Sequence, residues 1–418
     1  MTSCGFVFAM NRGRDGYQVP LALHEAGLLA IFVTDFYAPA GPLRKWLGPF
    51  GRRHHPGLAG ARVRRAALSF LAQYGGQLLG FGAERFFPVS DRLLASKAAR
   101  IARGLGAPLY AYSSYIPERA AAAPGQPLIS FEYHPHPAYS LDILERDFAR
   151  FPQVRESIEY ERVDAARQLA GTSWREASHI VCASSTTLRS LAFVGCPPKR
   201  CTVIPYGVQI DRAPPLQAKG NARCQFLFVG QGIQRKGLHH LLHAWAEARL
   251  EDADLTLVCY RIDPGIEAMV VELQASGAAV RLISRQSADE LAAHYRRSDV
   301  FAMPSLVEGF GLVFLEALAE GCHVLATHNT GVADLGLAAR TATISDPGDI
   351  AALAENLRHC AALWRAGELD PAAIAADAAR RGWADFRRDI AAHARAVLEH
   401  CQPPQGYEAT SGFTASSS

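Results

Sequence analysis

Several features that would assign a protein class at once are absent from the 418-residue sequence. No stretch of about 18 consecutive apolar residues occurs, so we predict no membrane-spanning helix. The nine cysteines contain no Cys-x-x-Cys pair, which gives no indication of a zinc finger or ribbon. The formal net charge is only +3, and charge therefore gives no support to nucleic-acid binding.

The N-terminal segment also predicts no secretion signal. The opening segment MTSCGFVFAMNRGRDG has a short apolar run with no basic region before it, and we interpret it as a first strand instead of a signal peptide. An odd number of scattered cysteines is typical of a reducing compartment. We therefore expect a cytoplasmic protein.

Short apolar runs alternate with helical patterns along most of the chain, which predicts an α/β protein with doubly wound parallel sheets. One series extends from CGFVFAM to CTVIPYG, and a second begins at CQFLFVGQG. The length exceeds that of a single core, so we predict two Rossmann-like domains, 1–207 and 224–385, joined by a linker at 208–223. We also predict a helix at 386–401, which either stays with the second domain or crosses back to the first. A disordered tail is predicted at 402–418.

The stretch PSLVEGFGLVFLEALAEG, residues 304–321, follows a predicted strand of the second domain. Ligands of doubly wound domains bind at the carboxyl ends of the strands. Helical periodicity begins near Gly311, so we expect Glu308 in the strand-to-helix loop and Glu316 on the helix face turned toward the cleft. Carboxylates at such positions can bind adjacent hydroxyl groups. In the simpler alternative, Glu308 is a helix-start acid and Glu316 a solvated helix residue.

With its EGFGL turn and seven residues between the two glutamates, this stretch resembles the E-x7-E signature of the retaining glycosyltransferases of the family 4 type. The resemblance implies the GT-B fold, in which two Rossmann-like domains face a central cleft. It also implies that Glu308 contacts the transferred sugar and that Glu316 binds the ribose hydroxyls of the nucleotide. Backbone amides at a helix N-terminus suit sugar hydroxyls and a diphosphate, and those assigned to this role are Phe310, Gly311, Leu312 and Val313.

A second segment, FLFVGQGIQRKGLHHLLHAW, fits the same ligand. Its strand ends near Gly230, and Arg235 and Lys236 precede a helix. Fixed cations can stabilise the charge that develops on a leaving diphosphate without a metal ion. The family resembled here has an arginine where this sequence has Gln231. The alternative is that the basic pair only caps a surface loop.

Two further segments are candidates in the first domain. SFEYHPHPAYS places His134 and His136 at a strand end, where related enzymes often have a histidine that faces the donor sugar, although a loop histidine packed for structural reasons is equally expected. A metal site there would lack a third local ligand. NRGRDG supplies Gly13 and Gly16 between the first strand and helix, and this turn is assigned by resemblance to the acceptor and phosphate region, or else is simply a tight turn.

The segment RLISRQSADELAAHYRRSDVFAMPS resembles the part of the family that forms the nucleobase pocket, with Ser284 and Arg285 beside the base. VIPYGVQID resembles the hinge segment IPNGVD, with Tyr206 in place of asparagine, and GWADFRRD resembles the closing region around Trp383. Because the base-side residues depart from the family pattern, the resemblance does not identify the donor.

Residues 36–83 contain no acidic residue. Their seven basic residues are Arg44, Lys45, Arg52, Arg53, Arg62, Arg64 and Arg65. Together with nearby apolar side chains, residues 44–65 predict peripheral contact with an anionic membrane or a phosphorylated lipid acceptor, here at the inner membrane face. The alternative is a solvated loop followed by an ordinary amphipathic helix.

We therefore expect a retaining, metal-independent glycosyltransferase that moves a sugar from a nucleotide-diphosphate sugar to a glycan or lipid-linked hydroxyl acceptor in envelope polysaccharide synthesis. No cofactor is expected beyond the nucleotide sugar, and no metal, since no Asp-x-Asp cluster ends a predicted strand. Two other functions remain open at this stage: a non-catalytic nucleotide-sugar-binding protein on the same scaffold, and a nucleotide-sugar epimerase.

Overall fold

A computed structural model describes residues 5–78, 86–116, 123–169, 173–209 and 216–400. The predicted tail at 402–418 lies outside these residues, as does the part of the predicted linker at 210–215.

In the part of the chain that the structure describes, the first of two parallel sheets has seven strands. They are β1 (Phe6–Ala9), β2 (Leu29–Thr34), β3 (Val63–Arg65), β4 (Leu109–Tyr112), β5 (Leu128–Glu132), β6 (His179–Cys182) and β7 (Cys201–Val203). Their spatial order is β3-β2-β1-β4-β5-β6-β7, and every pairing is parallel. Strands β1 and β4 are fully buried, as expected where helices cover both faces.

Seven α-helices belong to the described part of this half of the chain. They are α1 (Gln18–Glu25), α2 (Ala67–Leu78), α3 (Phe87–Leu105), α4 (Pro137–Arg150), α5 (Arg155–Leu169), α6 (Ser173–Glu176) and α7 (Ser185–Phe193). Helix α7 begins at the carboxyl end of β6, where Ser184 caps it by accepting a hydrogen bond from the Thr187 amide.

The second sheet has six strands in the order β10-β9-β8-β11-β12-β13. They are β8 (Cys224–Gly232), β9 (Ala253–Ile262), β10 (Val280–Ile283), β11 (Val300–Ala302), β12 (His323–Thr327) and β13 (Ala342–Ser345). The helices that follow are α8 (Leu238–Ala248), α9 (Pro264–Ala275), α10 (Ala288–Arg297), α11 (Leu312–Ala319), α12 (Ile350–Arg365), α13 (Pro371–Ala378) and α14 (Trp383–His400). The prediction of two doubly wound Rossmann-like domains is confirmed.

The last helix returns to the first domain. Helix α14 begins three residues before the predicted start at residue 386 and packs along α1, where Arg387 pairs with Glu25 at 2.9 Å. Just before it, the chain makes a parallel bridge between Val208 and Gly382, while the Arg381 guanidinium donates to the carbonyl of Pro205. The two connections between the domains therefore lie side by side.

Helices α4 and α5 form a pair in the acidic segment 141–164. One side of this pair packs on the second domain. Leu144 and Ile158 form a buried apolar cluster with Leu306 and Val307 of the loop after β11. A helical pair from the first domain thus covers a loop of the second.

No helix in the described residues is both long enough and apolar enough to cross a membrane.

Candidate functional site

The loop between β11 and α11 carries Glu308 at the carboxyl edge of the second sheet. Its backbone is fixed by the neighbouring loop, since the Glu308 amide donates to the carbonyl of Asn329 at 3.0 Å. The next residue must be glycine, because a Cβ added to Gly309 would lie 1.9 Å from the carbonyl oxygen of Tyr133. The turn that presents Glu308 therefore touches the backbone of the first domain.

Glu308, Arg235 and Lys236 form one buried ion cluster. The Oε2 atom of Glu308 accepts hydrogen bonds from the Lys236 ammonium and, at 3.1 Å, from Nη1 of Arg235. Burial alone would raise the pKa of Glu308, but the charges of Lys236 and Arg235 outweigh burial and lower that pKa to about 2. The carboxylate is therefore ionised at neutral pH, and it holds both cations at the cleft.

The short turn that carries the two cations is fixed by sterics. Gly237 adopts the left-handed conformation with φ of 68°, and a Cβ there would lie 2.0 Å from the carbonyl oxygen of Pro304. The turn after β8 and the loop after β11 thus lie against each other at the carboxyl edge. This contact brings residues 235–236 to Glu308 across 72 residues of sequence.

A further carboxylate reaches this cluster from the first domain. Glu161, on α5, pairs with Nε of Arg235 at 3.4 Å. The Arg235 side chain is therefore held between Glu161 and Glu308. No local motif distinguished Glu161, and only the position of α5 against the second domain reveals it.

The two candidate histidines have different surroundings. The side chain of His134 is accessible from the cleft. The surrounding protein excludes much of the bulk water there, and this desolvation together with the charge of Arg235 lowers the pKa of its imidazole. His136 is the N-cap of α4: its Nδ1 accepts from the Ala138 amide at 3.2 Å, and its own amide donates to Ser190. Of the two, the geometry places His134 beside the ion cluster and gives His136 a capping role.

Helix α11 points its N-terminus at the same region. It begins at Leu312 after Gly311, which has φ of 89°, and no side chain among the described residues caps the helix. The early amides of a helix without a cap are available to an anion or to hydroxyl groups. Phe310 is buried and contacts Tyr206, so only its backbone could serve a ligand, while the side chain of Leu312 is exposed and that of Val313 half-buried.

Glu316 lies outside the ion cluster, on an exposed face of α11. Its Oε2 accepts a hydrogen bond from the Tyr295 hydroxyl at 3.0 Å. Partial desolvation by the surrounding protein raises the pKa of the Glu316 carboxyl group. Ser284 and Arg285 are exposed in the loop after β10. Gly230, with φ of 154°, lies near the carboxyl end of β8. These four residues are carried at the same edge of the second sheet.

The turn with Gly13 and Gly16 is strained. Arg12, Asp15 and Tyr17 also adopt positive φ, which residues with side chains rarely do. Two phenol groups stabilise the strained turn, because the Asp15 carboxylate accepts hydrogen bonds from the hydroxyls of Tyr112 at 2.6 Å and Tyr206 at 2.7 Å.

Tyr206 links three parts of the molecule. Besides its bond to Asp15, its ring packs against Phe310 of the loop between β11 and α11 and against Trp383 and Phe386 at the start of α14. The departure from the family hinge pattern at this residue therefore has a structural reason. The sequence marked neither Asp15 nor its partners as part of the cleft.

Residues 223–362 match the family described as Glycosyl transferases group 1. This segment comprises the second sheet and the loops that carry Arg235, Lys236, Glu308 and Glu316.

Curated proteins with known activities are similar over part of the chain. An MMP alpha-(1->4)-mannosyltransferase of Mycolicibacterium hassiacum is 29% identical over 55% of this chain and 56% of its own length. A GDP-mannose-dependent alpha-(1-6)-phosphatidylinositol monomannoside mannosyltransferase of Mycolicibacterium smegmatis is 31% identical over 36% and 44%. A D-inositol 3-phosphate glycosyltransferase of Streptosporangium roseum is 30% identical over 62% of each. The matches span about half the length of these relatives.

Solved structures are similar over nearly the whole chain. A glycosyltransferase from Rickettsia africae has a TM-score of 0.59 and 13% identity, covering 96% of this chain and 100% of its own. Anabaena HepE in complex with UDP and glucose has a TM-score of 0.56 and 16% identity, covering 94% and 100%. Sucrose-phosphate synthase from Thermosynechococcus elongatus has a TM-score of 0.59 and 16% identity, covering 95% and 96%. The chain therefore has the GT-B fold.

Proposed function

We propose that the protein is a retaining, metal-independent glycosyltransferase that transfers a sugar from a nucleotide-diphosphate sugar to a hydroxyl acceptor. The observation that carries the proposal is the ion cluster of Glu308, Arg235 and Lys236 beside the N-terminus of α11. Two cations and free helix amides at one point are suited to a diphosphate. A carboxylate held ionised in the same cluster is suited to sugar hydroxyls.

In the proposed reaction, the bond between the anomeric carbon and the diphosphate oxygen breaks while a bond to the acceptor oxygen forms. The acceptor proton passes to the leaving phosphate on the same face of the sugar. Arg235, Lys236 and the α11 amides stabilise the charge that develops on the diphosphate, and they need little reorganisation because Glu161 and Glu308 already hold Arg235. His134 faces the donor sugar, and Gly13 and Gly16 shape the acceptor side.

Nucleotide recognition is assigned to the other end of the edge, where Glu316 binds the ribose hydroxyls and Ser284 and Arg285 flank the base. The names of the relatives support a sugar nucleotide as donor, since one printed name specifies GDP-mannose and one solved neighbour binds UDP. Acceptors in this proposal are glycans or lipid-linked saccharides of the cell envelope. The protein would act in the cytoplasm.

The test is a thermal-shift panel of UDP, GDP and ADP and their common sugars on wild type, Glu316→Ala and the control Glu272→Ala. Glu272 is an exposed glutamate of α9 in the same domain. Saturation at 100 times Kd stabilises a protein by about 2.7 kcal/mol. We expect one nucleotide to raise the melting temperature of wild type and the control, and to raise that of Glu316→Ala much less.

An equal shift in all three proteins would remove Glu316 from the nucleotide site. Absence of any shift in wild type would contradict the donor site itself. A shift in wild type without turnover on any acceptor or water would favour the alternative of a non-catalytic nucleotide-sugar-binding protein.

We also propose that residues 44–65, with the adjoining α2, contact an anionic membrane. Trp46, Leu68 and Leu71 are 88%, 69% and 60% exposed. Phe50 packs on Phe70 with ring centroids 5.3 Å apart, which places the 42–52 segment against α2. The basic residues whose side chains are exposed are Arg44, Lys45, Arg52, Arg62, Arg64 and Arg65. Arg53 instead points inward and pairs with Asp35 at 2.6 Å.

Co-sedimentation with vesicles tests this surface. We expect wild type to bind vesicles rich in phosphatidylglycerol, to bind phosphatidylcholine vesicles poorly, and to dissociate at high salt, because each exposed basic residue contributes about 1 kcal/mol near an anionic surface. The double variant Leu68→Ser/Leu71→Ser should bind less, and Val271→Ser, an exposed apolar residue of the second domain, should bind as wild type does. Equal binding to neutral vesicles, or no loss in the double variant, would contradict the proposal.

A further inference from the structure

We propose that Asp147, His239 and His240 form a binding site for a divalent transition-metal ion that joins the two domains. The site is separate from the proposed sugar transfer and would be present whichever sugar the protein uses. Asp147 belongs to α4 of the first domain, and the histidines to the first turn of α8 in the second.

The three side chains converge on one point. Oδ2 of Asp147 lies 2.9 Å from Nε2 of His239, and Oδ1 lies 2.7 Å from Nε2 of His240. One ligand atom from each residue lies within 4.8 Å of the others. Such spacing requires only a small outward movement for all three atoms to reach one ion at the usual metal distances of about 2.0–2.2 Å.

These three side chains are buried, unlike those of an ordinary cluster of charged residues at the surface. The side chains of Asp147, His239 and His240 are 5%, 0% and 2% exposed. A buried carboxylate needs compensation by hydrogen bonds or by a cation. Here the hydrogen bonds come from imidazoles, which are themselves metal ligands when neutral.

A second observation points to a ligand at the same place. Gln234 is fully buried, and its Nε2 donates to Oδ2 of Asp147 at 2.8 Å, so its amide lies at the cluster. Yet among the residues described, Oε1 of Gln234 has no hydrogen-bond partner. Buried polar atoms are rarely left in this state. A water coordinated to an ion at the cluster would supply a partner for Oε1 of Gln234.

The donor set selects the class of metal. Two imidazoles and one carboxylate suit Zn²⁺, Co²⁺ or Ni²⁺, whereas Mg²⁺ and Ca²⁺ prefer oxygen ligands. The open fourth position would take water. This assignment does not conflict with the expectation of metal-independent sugar transfer, because the ion would hold the domains together and would not contact the sugar.

The position of the site gives the ion a consequence for the cleft. Helix α8 begins two residues after Lys236, and α4 is followed directly by α5, which carries Glu161 to Arg235. An ion that binds α4 to α8 would therefore fix the distance between α5, which carries Glu161, and the turn that carries Arg235 and Lys236. We expect metal binding to stabilise the arrangement of the two domains.

The test uses the full chain without a polyhistidine tag, freed of metal with a chelator and titrated with Co²⁺ and then Zn²⁺. We expect visible d–d absorption that saturates at one equivalent of Co²⁺, is displaced by Zn²⁺ and lacks a thiolate-to-cobalt charge-transfer band. Zinc should also raise the melting temperature. Removal of one direct ligand in Asp147→Asn or His240→Ala should weaken binding by at least about 100-fold, since even indirect partners contribute 10- to 100-fold.

His359→Ala is the matched control, because His359 is an exposed histidine of the same domain, and it should titrate as wild type does. The wild-type titration decides first, since it does not depend on whether a variant folds. The proposal is overturned if wild type shows no saturable binding near one equivalent, if the spectrum shows thiolate ligation, or if folded Asp147→Asn binds as tightly as wild type.

Discussion

Glu308→Gln is expected to lower kcat for sugar transfer by roughly 100- to 1,000-fold, the usual cost of removing one fixed electrostatic group from an active site. The amide keeps the shape of the side chain but loses the charge that positions Lys236 and Arg235. The same substitution frees both cations from their shared counter-ion. Affinity for the free nucleoside diphosphate should therefore be retained or increased while turnover is lost, as measured by calorimetry and by product formation.

This divergence between binding and turnover separates a role at the reacting sugar from simple unfolding. The matched control is Glu272→Gln, at an exposed position of α9, which should keep wild-type kcat and affinity. If Glu308→Gln kept full kcat with a normal melting temperature, the assignment of Glu308 to the donor sugar would be wrong.

Lys236→Ala has the second large expected effect. Because the ammonium lies at the point where the leaving diphosphate would gain charge, its loss should lower kcat by roughly 100- to 1,000-fold, equivalent to about 3–4 kcal/mol. In contrast to Glu308→Gln, affinity for the nucleoside diphosphate should fall as well, since a cation is removed. Of the two variants, only Lys236→Ala is thus expected to weaken binding of the diphosphate.

Lys199→Ala, at an exposed lysine of the first domain, serves as the control for loss of positive charge. Lys236→Arg should recover part of the diphosphate affinity but less of kcat, because the guanidinium differs in shape and hydrogen-bond geometry from the ammonium. An unchanged Kd for the diphosphate in Lys236→Ala would contradict a diphosphate site at this cluster.

The interior of both sheets could be predicted from the sequence, because buried parallel strands leave continuous apolar runs such as FVFA in β1 and FLFV in β8. Strands β3 and β13 leave no such run. Both lie at sheet edges, where one side of the strand has no neighbour. Strand β3 reads VRR, with two exposed arginines, and so carries no apolar signal.

From the sequence, the site could be predicted only for residues that belong to short local motifs. Glu308, Arg235 and Lys236 stand in short motifs at the ends of strands, and the topology brings those ends together. Glu161 and Asp15 come from the first domain, and their role depends on how the domains face each other. Spacing along a chain carries no such information, so neither carboxylate could be identified before the structure.

The apolar contact of α4 and α5 with Leu306 and Val307 has a consequence for how the cleft can move. The apolar side chains of the loop that carries Glu308 are buried by the other domain. The packing of this loop therefore depends on both domains. Any motion that separates the domains also uncovers these side chains. We therefore expect opening of the cleft to loosen the loop that carries Glu308, and closure of the domains to restore its packing.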